Sequence, residues 1–341
     1  MKRTRVLRKL FKLKRAKIGF IGVAFFCLIS LFSNFIASDK PIFIYSKKNG
    51  EASKIYFPIF KKYDLSSFDI ETDYFILDYK KLYEDLKKSH EKTLFLFPLS
   101  KWSPSEQSGD ILSRPSVSHL LGTDSLGRDV FTRLVHGIKI SLLFALTLWL
   151  VSFALGVLLG SFQGYFIGVF DFTVERFKEV LLSIPMLTIL LLMTTFAKTQ
   201  SFALVLMTVV VFSWPQISSQ IRAQVLSLRK REYCLAAKAL GASHFRVVTK
   251  HIIPNCLTPI ITLSPFAIEM GVTLLAILDY LGFGLPPPTP SLGELLSQGR
   301  DYIQTAPWLI LSPIISMVLI LISINLVGQA LRDAFDPKME K

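Results

Sequence analysis

The chain has 341 residues, of which 51% are hydrophobic and 19% are charged, with a formal net charge of +14. This composition is too apolar for an ordinary soluble domain and indicates a polytopic membrane protein. The three cysteines are Cys27, Cys234 and Cys256, and none lies between Ser38 and Val135. A disulfide framework is therefore excluded for that polar stretch, which must be held together by packing alone.

The amino-terminal segment, residues 1–17, contains nine Lys or Arg residues and no acid. The cytoplasm retains such segments, so we expect the amino terminus inside. The apolar run 18–37 has about twenty residues, enough to cross a hydrocarbon core of about 30 Å. Ile36, Ala37 and Ser38 form a poor cleavage site, which favours a retained span over a signal peptide. Beside a span, the basic segment is a topology signal and a contact for anionic membrane lipids, which favours lipid over nucleic acid as its partner.

Residues 38–135 form the largest polar region, with fifteen Lys or Arg and fourteen Asp or Glu. Long loops are translocated largely regardless of charge, so this balance permits an external, periplasmic location. Aromatic, β-prone runs occur at Ile55–Phe60, Tyr74–Tyr79 and Thr93–Phe97, and Asp78–Ser89 has a helical pattern with paired charges. The region is predicted to be a small α+β insertion, whose aromatic residues form either a core, which we favour, or a ligand platform.

Five further apolar runs of spanning length occur at residues 141–162, 180–197, 202–221, 259–281 and 307–331. Six spans would place both termini in the cytoplasm, including the tail 332–341, and would put 136–331 in a five-helix core. Residues 222–250 carry seven Lys or Arg and one Glu, whereas 282–306 carry one Arg and two acids. This asymmetry supports an inside location for 222–258. The predicted fold class is an all-α polytopic membrane protein with six transmembrane helices.

A polar, helix-prone island lies at residues 231–255. Strong helix formers predict a short helix over 235–240 with Glu232 in its first turn, where a carboxylate complements the helix dipole. Gly241 is expected to end this helix, and Pro254 to end a second helical run over 244–251. The pattern predicts helix, sharp turn and helix.

Glu232, Ala236, Ala237, Gly241 and Pro254 are spaced as in the EAA loop of ABC-importer permeases, which this island resembles. The resemblance implies that the coupling loop, residues 222–258, lies in the cytoplasm and inserts two short helices into a groove of an ATPase subunit. Alanines and a glycine allow close backbone approach, which suits such contact. The alternative is an ordinary amphipathic loop helix.

Further stretches resemble the dipeptide and oligopeptide branch of these permeases (DppC/OppC-like), and within it the Yej-type that imports oligopeptides and the peptide-nucleotide microcin C. They are HLLGTDSLGRDV (119–130), DYLGFGLP (279–286), PSLGELL (290–296), APW (306–308), LRDAFDP (331–337), SDKP (38–41) and YFP (56–58). Taken alone, the first stretch indicates tight turns that cap a membrane helix. The likeness is weakest over 64–115, so it assigns no function to the insertion.

The resemblance implies a transport subunit of the bacterial inner membrane that moves peptides inward by alternating access. The implied partners are a second homologous permease, an ATP-binding cassette ATPase, an extracytoplasmic peptide-binding protein and the peptide itself. A stand-alone secondary transporter or channel is the alternative. That class predicts internal repeats and coupling-ion sites, and the two halves of this chain show no repeat.

Glu269 lies ten residues into the fifth predicted span, near the middle of the hydrocarbon core. A charge there costs about 3 kcal/mol on insertion scales, so we expect Glu269 to face the translocation pathway or a hydrogen-bonding partner on a neighbouring helix. Asp279 and Pro185 are further candidate pathway residues. Prolines at 185, 215, 265 and 313 are expected to interrupt spans, since prolines often occur where membrane helices bend around a pathway.

The sequence offers no catalytic constellation. No phosphate-binding loop of the form G-x-x-x-x-G-K-[ST] occurs, so ATP hydrolysis is assigned to a partner chain and no cofactor to this one. His244 and His251 share a helical spacing, but no third ligand for a metal is evident. Ser, His and Asp residues are scattered through the insertion without a nucleophile-elbow motif. The chain is therefore not expected to be an enzyme.

Overall fold

The computed structural model describes residue 10 and residues 13–47, 54–61, 63, 78–88, 92–196 and 201–335. Across these residues the chain is mainly helical, and it divides into two compact units. The first unit comprises Met1–Ala24, Ser141–Pro286 and Met317–Lys341, and the second comprises Phe25–Ile140 and Pro287–Ser316.

The secondary structure of the described residues is as follows. The helices are α1 (Lys14–Leu31), α2 (Ser33–Ile36), α3 (Tyr79–Lys88), α4 (Val130–Tyr165), α5 (Val169–Ser183), α6 (Met186–Phe196), α7 (Phe202–Leu228), α8 (Glu232–Ala239), α9 (His244–Arg246), α10 (Ile253–Tyr280), α11 (Leu292–Asp301) and α12 (Trp308–Phe335). A π-helical turn, Val247–Ile252, joins α9 to α10, and the strands are β1 (Phe43–Lys47), β2 (Lys54–Tyr56) and β3 (Lys92–Leu96). Four stretches in this part of the chain are long and apolar enough to cross a membrane: Val130–Tyr165, Phe202–Leu228, Ile260–Tyr280 and Trp308–Phe335.

The predicted interruption of spans by proline is correct at one of its four positions. At Pro185 the chain breaks between α5 and α6, and Ile184 is extended with φ −89° and ψ 123°, as expected of a residue before proline. Pro215 and Pro313 lie inside continuous helices, and so does Pro265 within α10. The prediction is wrong at these three sites, since membrane helices accommodate proline when neighbouring groups satisfy the freed carbonyl.

Three glycines spaced four residues apart bring α4 against α7 in the first unit. A Cβ at Gly156 would lie 2.6 Å from Ile217, one at Gly160 would meet the Ser218 carbonyl, and one at Gly164 would lie 2.8 Å from the Arg222 carbonyl. Residues four apart share one face of a helix, and small residues on that face let membrane helices approach closely. No larger side chain fits this contact without moving α7.

The amino-terminal helix packs on the carboxy-terminal one by the same means. A Cβ at Gly19 would lie 2.9 Å from Leu326, and one at Gly22 would meet the Ser323 side chain. Arg15 forms an ion pair of 2.6 Å with Asp333. These three contacts lie within the first unit and fix α1 along α12.

The second unit contains an antiparallel sheet of strand order β2-β1-β3, in which Ile44 pairs with both Tyr56 and Phe95. The predicted run Ile55–Phe60 overlaps β2 at residues 55–56, and the run Thr93–Phe97 overlaps β3 at residues 93–96. The predicted helix is α3, and β1 was not predicted. Of the remaining predicted run, Tyr74–Tyr79, residues 74–77 lie outside the described residues, and Tyr79 is the first residue of α3. Ile44, Tyr56, Tyr79 and Leu82 form a buried cluster, and burial raises the pKa of Tyr79 to about 12. Tyr56 and Tyr79 thus belong to a core, whereas Phe57 and Phe60 are exposed.

Candidate functional site

The coupling loop contains the predicted helix, turn and helix. Helix α8 begins at Glu232, which lies in its first turn, and ends at Ala239. Gly241 has φ +81°; its N–H donates to the Lys238 carbonyl, and that of Ala242 donates to the Ala237 carbonyl. This pair of bonds is a Schellman motif, in which a glycine takes the left-handed conformation at low cost. The prediction that Gly241 ends the helix is confirmed.

The prediction that Pro254 ends the second helical run is wrong. The chain stays helical from His244 through the π-helical turn into α10, and Pro254 occupies the start of α10. Proline is tolerated in the first turn of a helix because its missing N–H has little to bond there. The π-helical turn precedes Pro254, and in it the Ile253 N–H donates to the Val248 carbonyl, five residues earlier. Pro254 therefore lies in the first turn of α10 although the chain is helical on both sides of it.

The coupling loop separates its side chains into two faces. Cys234, Val247, Val248, Ile252 and Cys256 are fully buried in one cluster with residues of α4 and α7. The opposite side exposes apolar residues, of which Leu240 is 88% exposed, Phe245 65% and Leu235 53%. Glu232, Ala236 and Gly241 are exposed with them, Ala237 is half-buried, and Pro254 is exposed at the start of α10. Four of the five motif residues therefore lie at the surface.

The two cysteines of the loop belong to its packed interior. Burial raises the pKa of the Cys234 thiol and that of Cys256, the latter to about 11. Both thiols are therefore neutral near pH 7 and behave as small apolar side chains.

A charged cluster joins α5 to α7 beside the coupling loop. Asp171 accepts two hydrogen bonds from Arg222, of 2.6 and 2.7 Å. Lys178 is buried and contacts Glu175 at 2.7 Å and Ser219 at 2.9 Å. A buried ammonium is retained only with such partners.

Glu269 has a hydrogen-bonding partner on a neighbouring helix. Asn325 of α12 donates to its Oε2 at 3.3 Å, and Gln329 donates to Asn325 at 2.7 Å. The side chain of Glu269 is half-buried in α10. This contact agrees with one of the two roles expected of Glu269, a tie between spans.

The other candidate pathway residues occupy turns. Asp279 is buried and accepts a hydrogen bond of 2.7 Å from the Leu285 N–H, and a Cβ at Gly284 would collide with its carboxylate. Asp279 thus closes the turn that follows α10. Pro185 lies in the break between α5 and α6. The structure does not bring Glu269, Asp279 and Pro185 together by any described contact.

A buried ion network in the second unit was missed by the sequence reasoning. Arg128 contacts Asp124 at 2.7 Å and Glu294 at 2.8 Å, while Arg133, fully buried, pairs with the other oxygen of Glu294 and donates to the Pro104 carbonyl at 2.8 Å. Asp124 and Arg128 belong to the stretch HLLGTDSLGRDV and Glu294 to PSLGELL, while Arg133 lies in the first turn of α4, after the first stretch. Their alternating charge was the available signal, but no local pattern pairs residues about 165 positions apart.

The same stretch caps α4, as predicted. Asp129 precedes the helix and accepts a hydrogen bond of 2.8 Å from the Thr132 N–H. Ser100 Oγ donates to the same oxygen, Oδ2, at 3.1 Å, and the other oxygen, Oδ1, lies 3.0 Å from His119 Nδ1. A buried carboxylate with three partners fixes the entry of the chain into α4.

Comparison with known proteins gives one consistent family. Residues 156–341 match the family described as the inner membrane component of binding-protein-dependent transport systems. The chain is 36% identical over 320 residues to the inner membrane ABC transporter permease protein YejE of Escherichia coli, covering 91% of this chain and 89% of that protein.

Other relatives have related names. The chain is 34% identical to the dipeptide transport system permease protein DppC of Haemophilus influenzae, over 71% of this chain and 84% of that protein. It is 42% identical to the peptidoglycan transport system permease protein YejE of Agrobacterium fabrum, over 64% of this chain and 57% of that protein. Among solved structures, the inward-facing MetNI methionine ABC transporter superposes with a TM-score of 0.50 at 20% identity, over 60% of this chain and 98% of that one. That likeness concerns the fold alone.

Proposed function

Because the chain belongs to the family of binding-protein-dependent transport system inner membrane components, we propose that it is the permease subunit of an ABC importer for oligopeptides. The observation that carries this proposal is the exposed apolar face of the coupling loop. Leu235, Leu240 and Phe245 are exposed there in a segment rich in Lys and Arg. Apolar side chains in such a segment favour a protein partner over lipid.

That partner is the ATP-binding cassette ATPase. When ATP binding brings the two ATPase subunits together, the subunit bound to the coupling loop displaces this loop. The membrane helices attached to the loop move with it. Glu232, Ala236, Ala237 and Gly241 would contact the ATPase, and Pro254 would start the helix that leads away from the contact. ATP is bound and hydrolysed by the partner, and this chain supplies the mechanical link.

The topology is that of six membrane helices with both termini in the cytoplasm. We assign the spans to α1, α4, the α5–α6 pair, α7, α10 and α12, and an external position to the insertion 38–135. Helix α4 has 36 residues, or about 54 Å, so its ends project beyond a hydrocarbon core of about 30 Å. Reporters fused at Lys341 and Ser243 should be cytoplasmic and one inserted at Lys88 external; an external Ser243 would contradict the assignment.

The substrate class is inferred from the names of relatives that transport dipeptides or peptidoglycan, with microcin C-like peptides as further candidates. A second homologous permease and an extracytoplasmic peptide-binding protein complete the proposed importer. Glu269, Asp279 and Pro185 remain proposed pathway residues. A carboxylate such as Glu269 would attract the cationic amino terminus or basic side chains of a peptide.

Isolation of the tagged chain from the membrane, followed by assay of the complex in proteoliposomes, tests the function. An ATP-hydrolysing protein should remain bound, and labelled peptide should accumulate only when ATP and the peptide-binding protein are present. A chain that transports peptide alone, driven by an ion gradient, would support the secondary transporter instead.

A further inference from the structure

Tyr165, the last residue of α4, receives contacts from three separate parts of the coupling loop. The side chain is only 6% exposed. It lies in the same buried cluster as Cys234, Val247 and Ile252 of the loop. The position of Tyr165 at the end of a helix of 36 residues makes it the point where that helix meets the loop.

The first contact is made by the hydroxyl group. Tyr165 Oη lies 2.7 Å from Nδ1 of His244, the first residue of α9. The two rings are also in edge contact, with centroids 5.6 Å apart. This hydrogen bond connects α4 to the helix that follows the exposed turn at Gly241.

The second contact is made by the backbone. Arg229, which caps the carboxy terminus of α7, donates from its guanidinium to the Tyr165 carbonyl at 3.1 Å. The last four carbonyls of a helix have no partner within it, and a cation at that end complements the helix dipole. This bond connects α4 to the start of the coupling loop.

The third contact is made by the ring face. The ammonium group of Lys238 in α8 lies 4.9 Å from the centroid of the Tyr165 ring, which is the geometry of a cation–π interaction. Arg229, Lys238 and His244 thus approach one residue from the start of the loop, from the helix before the turn and from the helix after it. Each contact uses a different chemical group of Tyr165.

We propose that Tyr165 is the positioning residue that holds the coupling loop to α4, so that a displacement of the loop by the ATPase moves this membrane helix. The inference rests on the proposed function. The hydroxyl is the specific part, because a phenylalanine would keep the packing, the backbone bond and the ring face but would lose the bond to His244. Tyr165 does not contact peptide or ATP in this scheme; it acts through the loop.

The test compares Tyr165→Phe with Tyr302→Phe in the purified importer complex. Tyr302 follows α11 and is 38% exposed, so its variant removes the same hydroxyl group far from the coupling loop in sequence. Peptide uptake per ATP hydrolysed is measured in proteoliposomes. Tyr165→Phe should lower this ratio about threefold to tenfold, the value of one hydrogen bond, while Tyr302→Phe leaves it unchanged.

Two further readouts separate positioning from a merely structural role. In a double-mutant cycle, adding His244→Phe to Tyr165→Phe should cause no further loss, because both remove the same bond and His244→Phe keeps a ring at this position. An unchanged ratio in Tyr165→Phe, even with lowered thermal stability, would overturn the proposal, and so would additive losses. If Tyr165→Phe does not assemble, His244→Phe removes the bond from the other side and is judged by the same ratio. A wild-type complex without ATP-driven uptake would instead contradict the proposed function.

Discussion

Two polar regions of this protein treat their side chains in opposite ways. The ion network buries Asp124, Arg128 and Arg133 and pairs these charges with one another and with the half-buried Glu294. Among the described residues of the coupling loop, the buried ones are apolar, such as Val247, Val248 and Ile252, while Glu232, Leu240 and Phe245 are exposed. Buried charges must be satisfied within the chain, whereas an exposed apolar face is stabilised when a partner covers it. The first region is thus complete in itself, and the second has the character of an interface.

The largest effect should come from breaking the closed network. Arg133→Met keeps much of the side-chain volume but leaves Asp124 and Glu294 without one of their two cations. Removing one partner of a buried pair costs about 3–5 kcal/mol. We expect a sharp fall in folded yield and in the thermal unfolding midpoint of the detergent-solubilised protein.

The matched control is Arg300→Met. Arg300 contacts Asp301 at 2.9 Å, and both side chains are more than half exposed. An exposed pair of this kind contributes little, and the change should stay within about 0.5 kcal/mol. Equal effects of the two substitutions would mean that the network does not hold the second unit together.

The next largest loss of stability should come from Gly160→Leu, at the uncharged contact between α4 and α7. The new side chain would meet the Ser218 carbonyl of α7, and overpacking of this kind costs about 1–3 kcal/mol. Ala154→Leu, at an exposed position of the same helix, should change thermal stability little. If Gly160→Leu were as stable as Ala154→Leu, α4 and α7 would not approach as described.

A smaller loss of stability, with a clear loss of function, is expected for Gly241→Val. The left-handed turn costs a side chain about 1–2 kcal/mol, and a β-branched residue is poorly suited to it. Gly282→Val is the control, because Gly282 has φ +80° and, like Gly241, open space around it. Both variants should lose similar stability, but only Gly241→Val should lower ATPase binding or substrate-stimulated hydrolysis. Unchanged values in Gly241→Val would remove this residue from the contact.

The smallest effect on stability is expected for Glu269→Gln, which can still bond to Asn325. A change below about 1 kcal/mol in thermal unfolding is expected. If Glu269 lines the pathway, uptake of cationic peptides should fall more than that of neutral peptides. Equal loss for both, or failure of the complex to assemble, would leave Glu269 as a tie between α10 and α12.

Local sequence patterns predicted much of this structure. The helix from Glu232 and its end at Gly241 follow from helix propensity and glycine geometry, both of which act within a few residues. The continuous helix at Pro254 did not follow, because local rules of helix propensity do not predict the π-helical turn Val247–Ile252 that precedes it. Strand β1 is short, and it is defined by its pairing with Tyr56 of β2 and Phe95 of β3. Local sequence patterns do not show such pairing.

The sites were predictable to different degrees for the same reason. A motif such as Glu232, Ala236, Ala237 and Gly241 is contained in one local stretch. By contrast, the pairing of Arg133 with Glu294 and of Tyr165 with His244 joins parts of the chain that only folding brings together. Asp279 shows a further limit, because its polarity suggested a pathway while its contact with the Leu285 N–H gives it a place in a turn.

Site-specific photo-crosslinking from Leu240 tests the central claim most directly. Leu240 is 88% exposed beside the turn of the coupling loop, and Leu150, 58% exposed in the middle of α4, is the control. With a photoreactive residue at either position in the transport-competent complex, Leu240 should give an adduct with the ATP-binding partner and Leu150 should not. Absence of that adduct from Leu240, or its equal formation from Leu150, would contradict a coupling loop that contacts the ATPase.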